Sequence, residues 1–301
     1  MDVFFQQLAN GLAVGGIYAL IALGYTMVYG VLKLINFAHG DLFTIGSYLG
    51  LTIIAVFGLT EFYGPFLGIL LVAVMIMAAL ALLGALLDRA AYRPLRESPR
   101  LSAVVSALGA SIFLQNMVML LYGARFQVYP DDLLPSTTLD IFEVSIPVVK
   151  IIVLLTSLLI MAALYLFIQK TRIGTAIRAA AIDQGAARLM GIDVNRVIML
   201  VFLIGPALGG VAGLMVGLLY GQINFTMGWV YGLKAFTAAI LGGIGNIPGA
   251  MLGGLLLGVI ESMGAAYFSI AWKDAIAFVV LILILIIRPT GLLGERVAEK
   301  I

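Results

Sequence analysis

Residues 232–262 read GLKAFTAAILGGIGNIPGAMLGGLLLGVIES, and the fold turns on whether they cross a membrane once or twice. The stretch is apolar on both sides of a glycine-rich centre at 242–249, GGIGNIPG. Pro248 suits the first turn of a helix beginning after that centre, where a missing N–H and a fixed φ cost nothing. Charge decides the count. One crossing would carry Arg288, Arg296 and Lys300 to the outer side; two keep them with most of the other basic residues. Two crossings are expected, broken at 242–249.

That this is a membrane chain follows from composition. Of its 301 residues 63% are hydrophobic and 11% charged, against roughly 25% charged in soluble domains. A chain this apolar cannot cover a water-facing surface. Its apolar runs lie near 10–32, 42–58, 66–87, 101–122, 148–168, 197–220, 225–241, 247–263 and 265–287. Runs of about 20 residues indicate α-helical spans, not a barrel. The chain reads as an all-α polytopic membrane protein, a single domain over 1–301, with eight to nine transmembrane helices including broken or half-length ones. The last run is the weakest, because Lys273-Asp274 interrupts it. No basic segment precedes the first run, so no cleavable signal is expected and the first span serves for insertion.

Several function classes are excluded. There is no cysteine, hence no disulfide, thiol nucleophile or thiolate metal site. No G-x-x-x-x-G-K-[ST] is present to bind nucleotide phosphates. His39 is the only histidine, and no Ser/His/acid set is recognisable. No catalytic residue, metal or cofactor is expected.

The polar breaks sort by charge. Arg89, Arg93, Arg96 and Arg100 share one break, Lys170, Arg172, Arg178, Arg188 and Arg196 another, and Arg288, Arg296 and Lys300 follow the last run. With Lys33 these are thirteen of seventeen basic residues, and all can lie on one side. The other side receives Arg125, Lys150, Lys234 and Lys273 with Asp131, Asp132, Asp140 and Glu143. The first set is expected in the cytoplasm, giving a periplasmic N-terminus and a cytoplasmic C-terminus. The outer loop 123–147 carries Pro130, Pro135 and Pro147 and is not expected to be continuous helix.

The cytoplasmic break 170–196, KTRIGTAIRAAAIDQGAARLMGIDVNR, is punctuated as short helices. Thr175, Asp183 and Asp193 are candidate N-caps, and Gly191 a stop. The middle piece, 184–190, has small faces at Gly185, Ala186 and Ala187 beside bulkier Leu189 and Met190. Such a helix, held outside the bilayer between two spans, suits being gripped by another protein. The plainer reading is a basic connector.

Polar residues inside the spans are the candidates for a pathway. Asn36, His39 and Asp41 interrupt the first hairpin; alternatively they form a cytoplasmic turn with Asp41 capping the next helix. Gln115 and Asn116 lie deep in the 101–122 run and face a pathway or tie helices together. Gly242, Gly243, Gly245 and Asn246 form the second break, a weak echo of the first, as transporters with paired discontinuous helices show. Glu261 is expected near the outer interface.

Four motifs carry a resemblance. Residues 18–50, YALIALGYTMVYGVLKLINFAHGDLFTIGSYLG, and 106–116, SALGASIFLQN, resemble segments of the permease subunits of branched-chain amino-acid ABC importers. So do 234–258, KAFTAAILGGIGNIPGAMLGGLLLG, and 288–294, RPTGLLG. The short N-terminus resembles the H type rather than the larger M type. The resemblance implies the type II importer fold and a non-catalytic subunit of the inner membrane. It implies as partners a second, M-type permease, two cytoplasmic ATPase subunits and a periplasmic binding protein. It also implies that the 170–196 loop couples to an ATPase, through Arg178, Ala179, Asp183, Ala186, Ala187, Arg188, Leu189, Met190 and Gly191. The alternative substrates are urea, amides or other neutral amino acids. A stand-alone secondary transporter should show more intramembrane acids than Asp41.

Overall fold

The structure, a computed structural model, describes residues 2–96, 98–130, 133–134, 137–141 and 144–294. Asp131, Asp132, Pro135, Glu143, Arg296 and Lys300 lie outside the described residues.

Helix α1 (Asp2–Leu32) is followed by α2 (His39–Phe57), the short α3 (Leu59–Tyr63), α4 (Pro65–Leu87) and α5 (Arg100–Tyr122). Strands β1 (Gln127–Val128), β2 (Thr138–Ile141) and β3 (Val144–Pro147) precede α6 (Val148–Lys170). Then come α7 (Arg172–Ile182), α8 (Gln184–Leu189), α9 (Val194–Tyr220), β4 (Gln222–Ile223), α10 (Met227–Gly242), α11 (Ile247–Tyr267) and α12 (Lys273–Ile287). Eight helices among the described residues are long and apolar enough to cross a membrane. Helices α10 (16 residues) and α12 (15 residues) are the short members, spanning only about 24 and 22 Å. The expected break between α10 and α11 is present, with Pro248 in the first turn of α11.

The core is built from α1, α2, α9, α10 and α11. Lipid gives no hydrophobic drive between spans, so these helices hold by close contact of small residues. A β-carbon built on Gly258 of α11 would lie 2.4 Å from Cα of Gly15 in α1; one on Gly46 of α2 would lie 2.4 Å from Cα of Gly210 in α9. Either substitution would push two helices apart. Helices α4, α5, α6 and α12 stand outside this core with apolar faces exposed.

One end of the bundle gathers the basic breaks. Gln184 Nε2 donates to the Val31 carbonyl (2.7 Å), Arg96 Nη1 to Asn195 Oδ1 (2.6 Å), and the Leu292 and Leu293 amides to the Leu241 and Gly242 carbonyls (both 2.9 Å). At the opposite end, β1 pairs antiparallel with β4, and β2 with β3. Tyr129, fully buried, enters the gap between Gly50 of α2 and Gly217 of α9, and its hydroxyl donates to the Ser47 carbonyl (2.5 Å). The described part of the 123–147 loop is therefore pinned to the bundle, with strands that the proline spacing did not announce.

Candidate coupling and translocation site

The basic-end loop is built from caps. Thr171, not the expected Thr175, is the N-cap of α7: the Gly174 amide donates to Thr171 Oγ1 (3.0 Å), while Thr175 sits one turn inside the helix. Asp183 and Asp193 cap α8 and α9 as expected. Asp183 Oδ1 accepts from the Gly185 and Ala186 amides (2.8 and 3.0 Å), Asp193 Oδ1 from those of Asn195 and Arg196 (3.0 and 3.2 Å). Gly191 stops α8 at φ 82°, which a side chain would strain.

The residues of this loop divide by what they touch. Arg178 donates from Nη1 to the Ile168 carbonyl and to Gln169 Oε1, closing the C-terminus of α6. Ala187 is 4% exposed and packs within the chain. A charge at Ala187 would therefore break the loop's own packing before it met any partner. Ala179 is half-buried, whereas Ala186 and Arg188 are exposed. Leu189 (90% exposed), Met190 (82%) and Ile182 (87%) project from the two short helices. At a loop between spans, three large apolar side chains this open make an unpartnered hydrophobic edge on a rigidly capped support.

The Asn36–Asp41 turn is not at the surface. Lys33 takes φ 55° and turns the chain back. His39 then lies against Gly24 of α1 and Gly209 of α9. Gly24 is eight residues short of the end of α1, so α2 begins about 12 Å inside the bundle. Asn36, His39 and Asp41 are all buried. Tyr92 donates to Asn36 Oδ1 (2.6 Å) and Ser111 of α5 to Asp41 Oδ2 (2.5 Å). Asp41 does not cap α2; the N-cap is Ala38, with no side-chain bond. Neither ring nitrogen of His39 finds a hydrogen-bond partner among the described residues. A small cleft of about 50 Å³ opens here between Asp41, Tyr25, Phe37, Trp229, Leu233 and Phe236. At this size the cleft is a packing gap between aromatic side chains, well below the roughly 300 Å³ of a ligand pocket, and the Asp41 carboxylate is turned to Ser111.

The second break sits elsewhere. Asn246 caps α11 through the Gly249 amide (2.9 Å) and donates from Nδ2 to the Leu293 carbonyl (2.8 Å). Gly243 and Gly245 take φ 108° and 96°; a β-carbon on Gly243 would lie 2.5 Å from the Gly294 nitrogen. Gly242 packs on Gly249 of the returning helix. The structure thus joins Gly242, Gly243 and Asn246 to the 288–294 tail and sets Gly245 against Gly30 of α1; no contact among the described residues joins them to Asn36, His39 or Asp41. Gln115 is half-buried, and Asn116 is exposed on α5, donating to the Ile112 carbonyl (2.7 Å).

Sequence reasoning missed a buried ion cluster. Lys234 Nζ of α10 lies 2.7 Å from Glu261 Oε1 of α11 and 2.7 Å from Asp274 Oδ1 of α12; Lys273 is 3.4 Å from the same Glu261 oxygen. Tyr18 donates to Glu261 Oε2 (2.8 Å). The available signal was opposite charge at Lys234 and Glu261, each isolated in an apolar run.

The model of the family described as branched-chain amino acid transport system / permease component matches residues 7–285. The high-affinity branched-chain amino acid transport system permease protein LivH of Escherichia coli K12 is 46% identical over 304 residues, covering 99% of this chain and 98% of that protein. BraD of Pseudomonas aeruginosa, described in the same words, is 47% identical over 305 residues, with the same coverage. Among solved structures, one described as an inward-facing metal-chelate type ABC transporter covers 94% of this chain and 84% of that one, with TM-score 0.50 and 19% identity. That likeness supports the type II permease fold and nothing finer. With a family match over nearly the whole chain and full-length relatives well above 30% identity, the chain belongs to the permease components of branched-chain amino acid transport systems.

Proposed function

We propose that this chain is one of two permease subunits of an ATP-driven importer of leucine, isoleucine and valine. Its basic end lies in the cytoplasm, both 2–32 and 273–287 running toward it. Hydrolysis takes place on two separate ATPase subunits. A second, M-type permease completes the pathway, and a periplasmic binding protein delivers substrate to the opposite end. The observation that carries this reading is α8, a helix capped by Asp183, stopped by Gly191 and tied to α1 through Gln184, with Leu189 and Met190 turned outward. An ATPase pair moving in the cytoplasm needs such a rigid apolar handle to transmit its motion.

Two measurements test this. In proteoliposomes holding the whole complex with ATP inside and loaded binding protein outside, leucine uptake should proceed with all ion gradients collapsed. Uptake driven by a gradient alone would mean a secondary transporter. On this cysteine-free chain, Arg188→Cys in intact cells should resist an impermeant maleimide, and Asp132→Cys should react. Labelling at position 188 from outside would reverse the topology.

A further inference from the structure

We infer that the crevice between the end of α4 and the start of α9 is a binding site for one anionic phospholipid, its phosphate held by arginines and an acyl chain laid along α4. The crevice encloses about 540 Å³. Among the described residues, Arg89, Arg93, Arg96 and Arg196 line it with Asp88 and Asp193, four positive charges to two negative. Both acids are already used. Asp88 accepts two bonds from Arg96 Nη2 (2.6 and 2.7 Å), and Asp193 caps α9 and pairs with Arg196 (3.0 Å).

Arg89 and Arg93 are one helical turn apart, exposed, and without a side-chain hydrogen bond or ion pair among the described residues. Arg96 is half-buried in the floor, and its buried Nε has no partner among the described residues. The crevice therefore holds unspent guanidinium donors, which match phosphate geometry.

The source of that phosphate is indicated by what lies above. Leu82 and Leu86 of α4 and Met199 of α9 line the same crevice and are exposed. Leu82, Leu86 and Arg89 follow one another at helical spacing along one face. The change from apolar span to arginine falls where the chain leaves the apolar run, the level of lipid headgroups. Basic pockets between spans at this level are headgroup sites. A free phosphate would use the arginines and leave the leucines open; a phospholipid uses both. Binding would brace the 88–96 turn, which Arg96 ties through Asn195 to the start of α9, next to the 170–196 loop.

The test uses the purified complex in mild detergent, with native mass spectrometry and a fluorescent phosphatidylglycerol as probe. Wild type should bind phosphatidylglycerol and not phosphatidylcholine. Arg89→Ala/Arg93→Ala should weaken binding about thirty-fold, and Leu82→Ser/Leu86→Ser should weaken it while leaving the arginines intact. Inorganic phosphate at millimolar concentration should not displace the lipid. Equal binding of both lipids, or unaltered binding by the arginine variant, would overturn the proposal. Displacement by phosphate alone would reduce the crevice to a small-anion site. Loss of the ATPase subunits from the arginine variant with lipid binding intact would make it a protein contact instead.

Discussion

Leu189→Asp/Met190→Asp should release the ATPase subunits and end substrate-stimulated hydrolysis in the reconstituted complex, while the permease itself stays folded. The two side chains are among the most exposed large apolar groups on the molecule, so neither contributes to the permease's own packing. Their removal costs the fold nothing measurable. If they are buried in an ATPase groove, each contributes roughly 1.5–3 kcal/mol to the joint. Losing both weakens it by roughly a hundred-fold or more, and two buried carboxylates weaken it further. Charge around the rim counts for less. Arg188→Ala should lower affinity by about fivefold at most, since exposed pairs contribute only about 0–1 kcal/mol. Pull-down of the ATPases reads assembly, phosphate release reads coupling, and size-exclusion profiles of the permease read the fold. Normal assembly and coupling in the double variant would show that α8 is not the joint.

Much of this architecture is legible in the sequence because single-residue chemistry fixes it. Most spans announce themselves by length, since the bilayer core requires about 20 apolar residues of a full-length helix. The break at 242–249 is readable because glycines and Pro248 permit a turn and little else. Asp183 and Asp193 are readable as caps because a short carboxylate reaches its own helix's amides. Thr171 and Thr175, four residues apart, show the limit. Both are good caps, and the choice depends on where α6 ends, which Arg178 helps fix by reaching back to Ile168. The depth of Asn36, His39 and Asp41 was equally hidden. Polarity alone is consistent with a surface turn, and only the small residues Gly24 and Gly209 on two other helices make room for the imidazole inside. The grouping of Gly243 and Asn246 with the 288–294 tail rests on a close backbone approach at Gly243 and the Asn246 amide's bond to Leu293, which composition does not encode. It also changes what a bulky residue at position 243 would report. Gly243→Leu would dislodge the tail at a φ that leucine resists, and lost transport would say nothing about a pathway.

The buried ion cluster gives the largest expected effect on stability. Lys234→Ala would leave Glu261, 7% exposed, with only the Tyr18 hydroxyl and the more distant Lys273 to offset its charge. Breaking a buried pair from one side costs about 3–5 kcal/mol, because a charge stays behind without its partner. Glu261→Ala should cost less, because Lys234 keeps the Asp274 carboxylate at 2.7 Å and the face of Tyr18, whose ring centroid lies 5.8 Å from the ammonium. Removing both charges together is a different experiment. Lys234→Met/Glu261→Leu keeps the volume and deletes the desolvation cost along with the attraction, so it should recover most of the loss. The readout is the apparent melting temperature of the purified permease in one detergent at one scan rate, because the apparent value of an irreversible transition depends on the scan rate. The expected order is wild type close to the double variant, Glu261→Ala below them and Lys234→Ala lowest. Single variants as stable as wild type would show that solvent or lipid headgroups reach Glu261. A double variant no better than the singles would show that the cluster holds α10, α11 and α12 together by its specific bonds and not merely by cancelling charge.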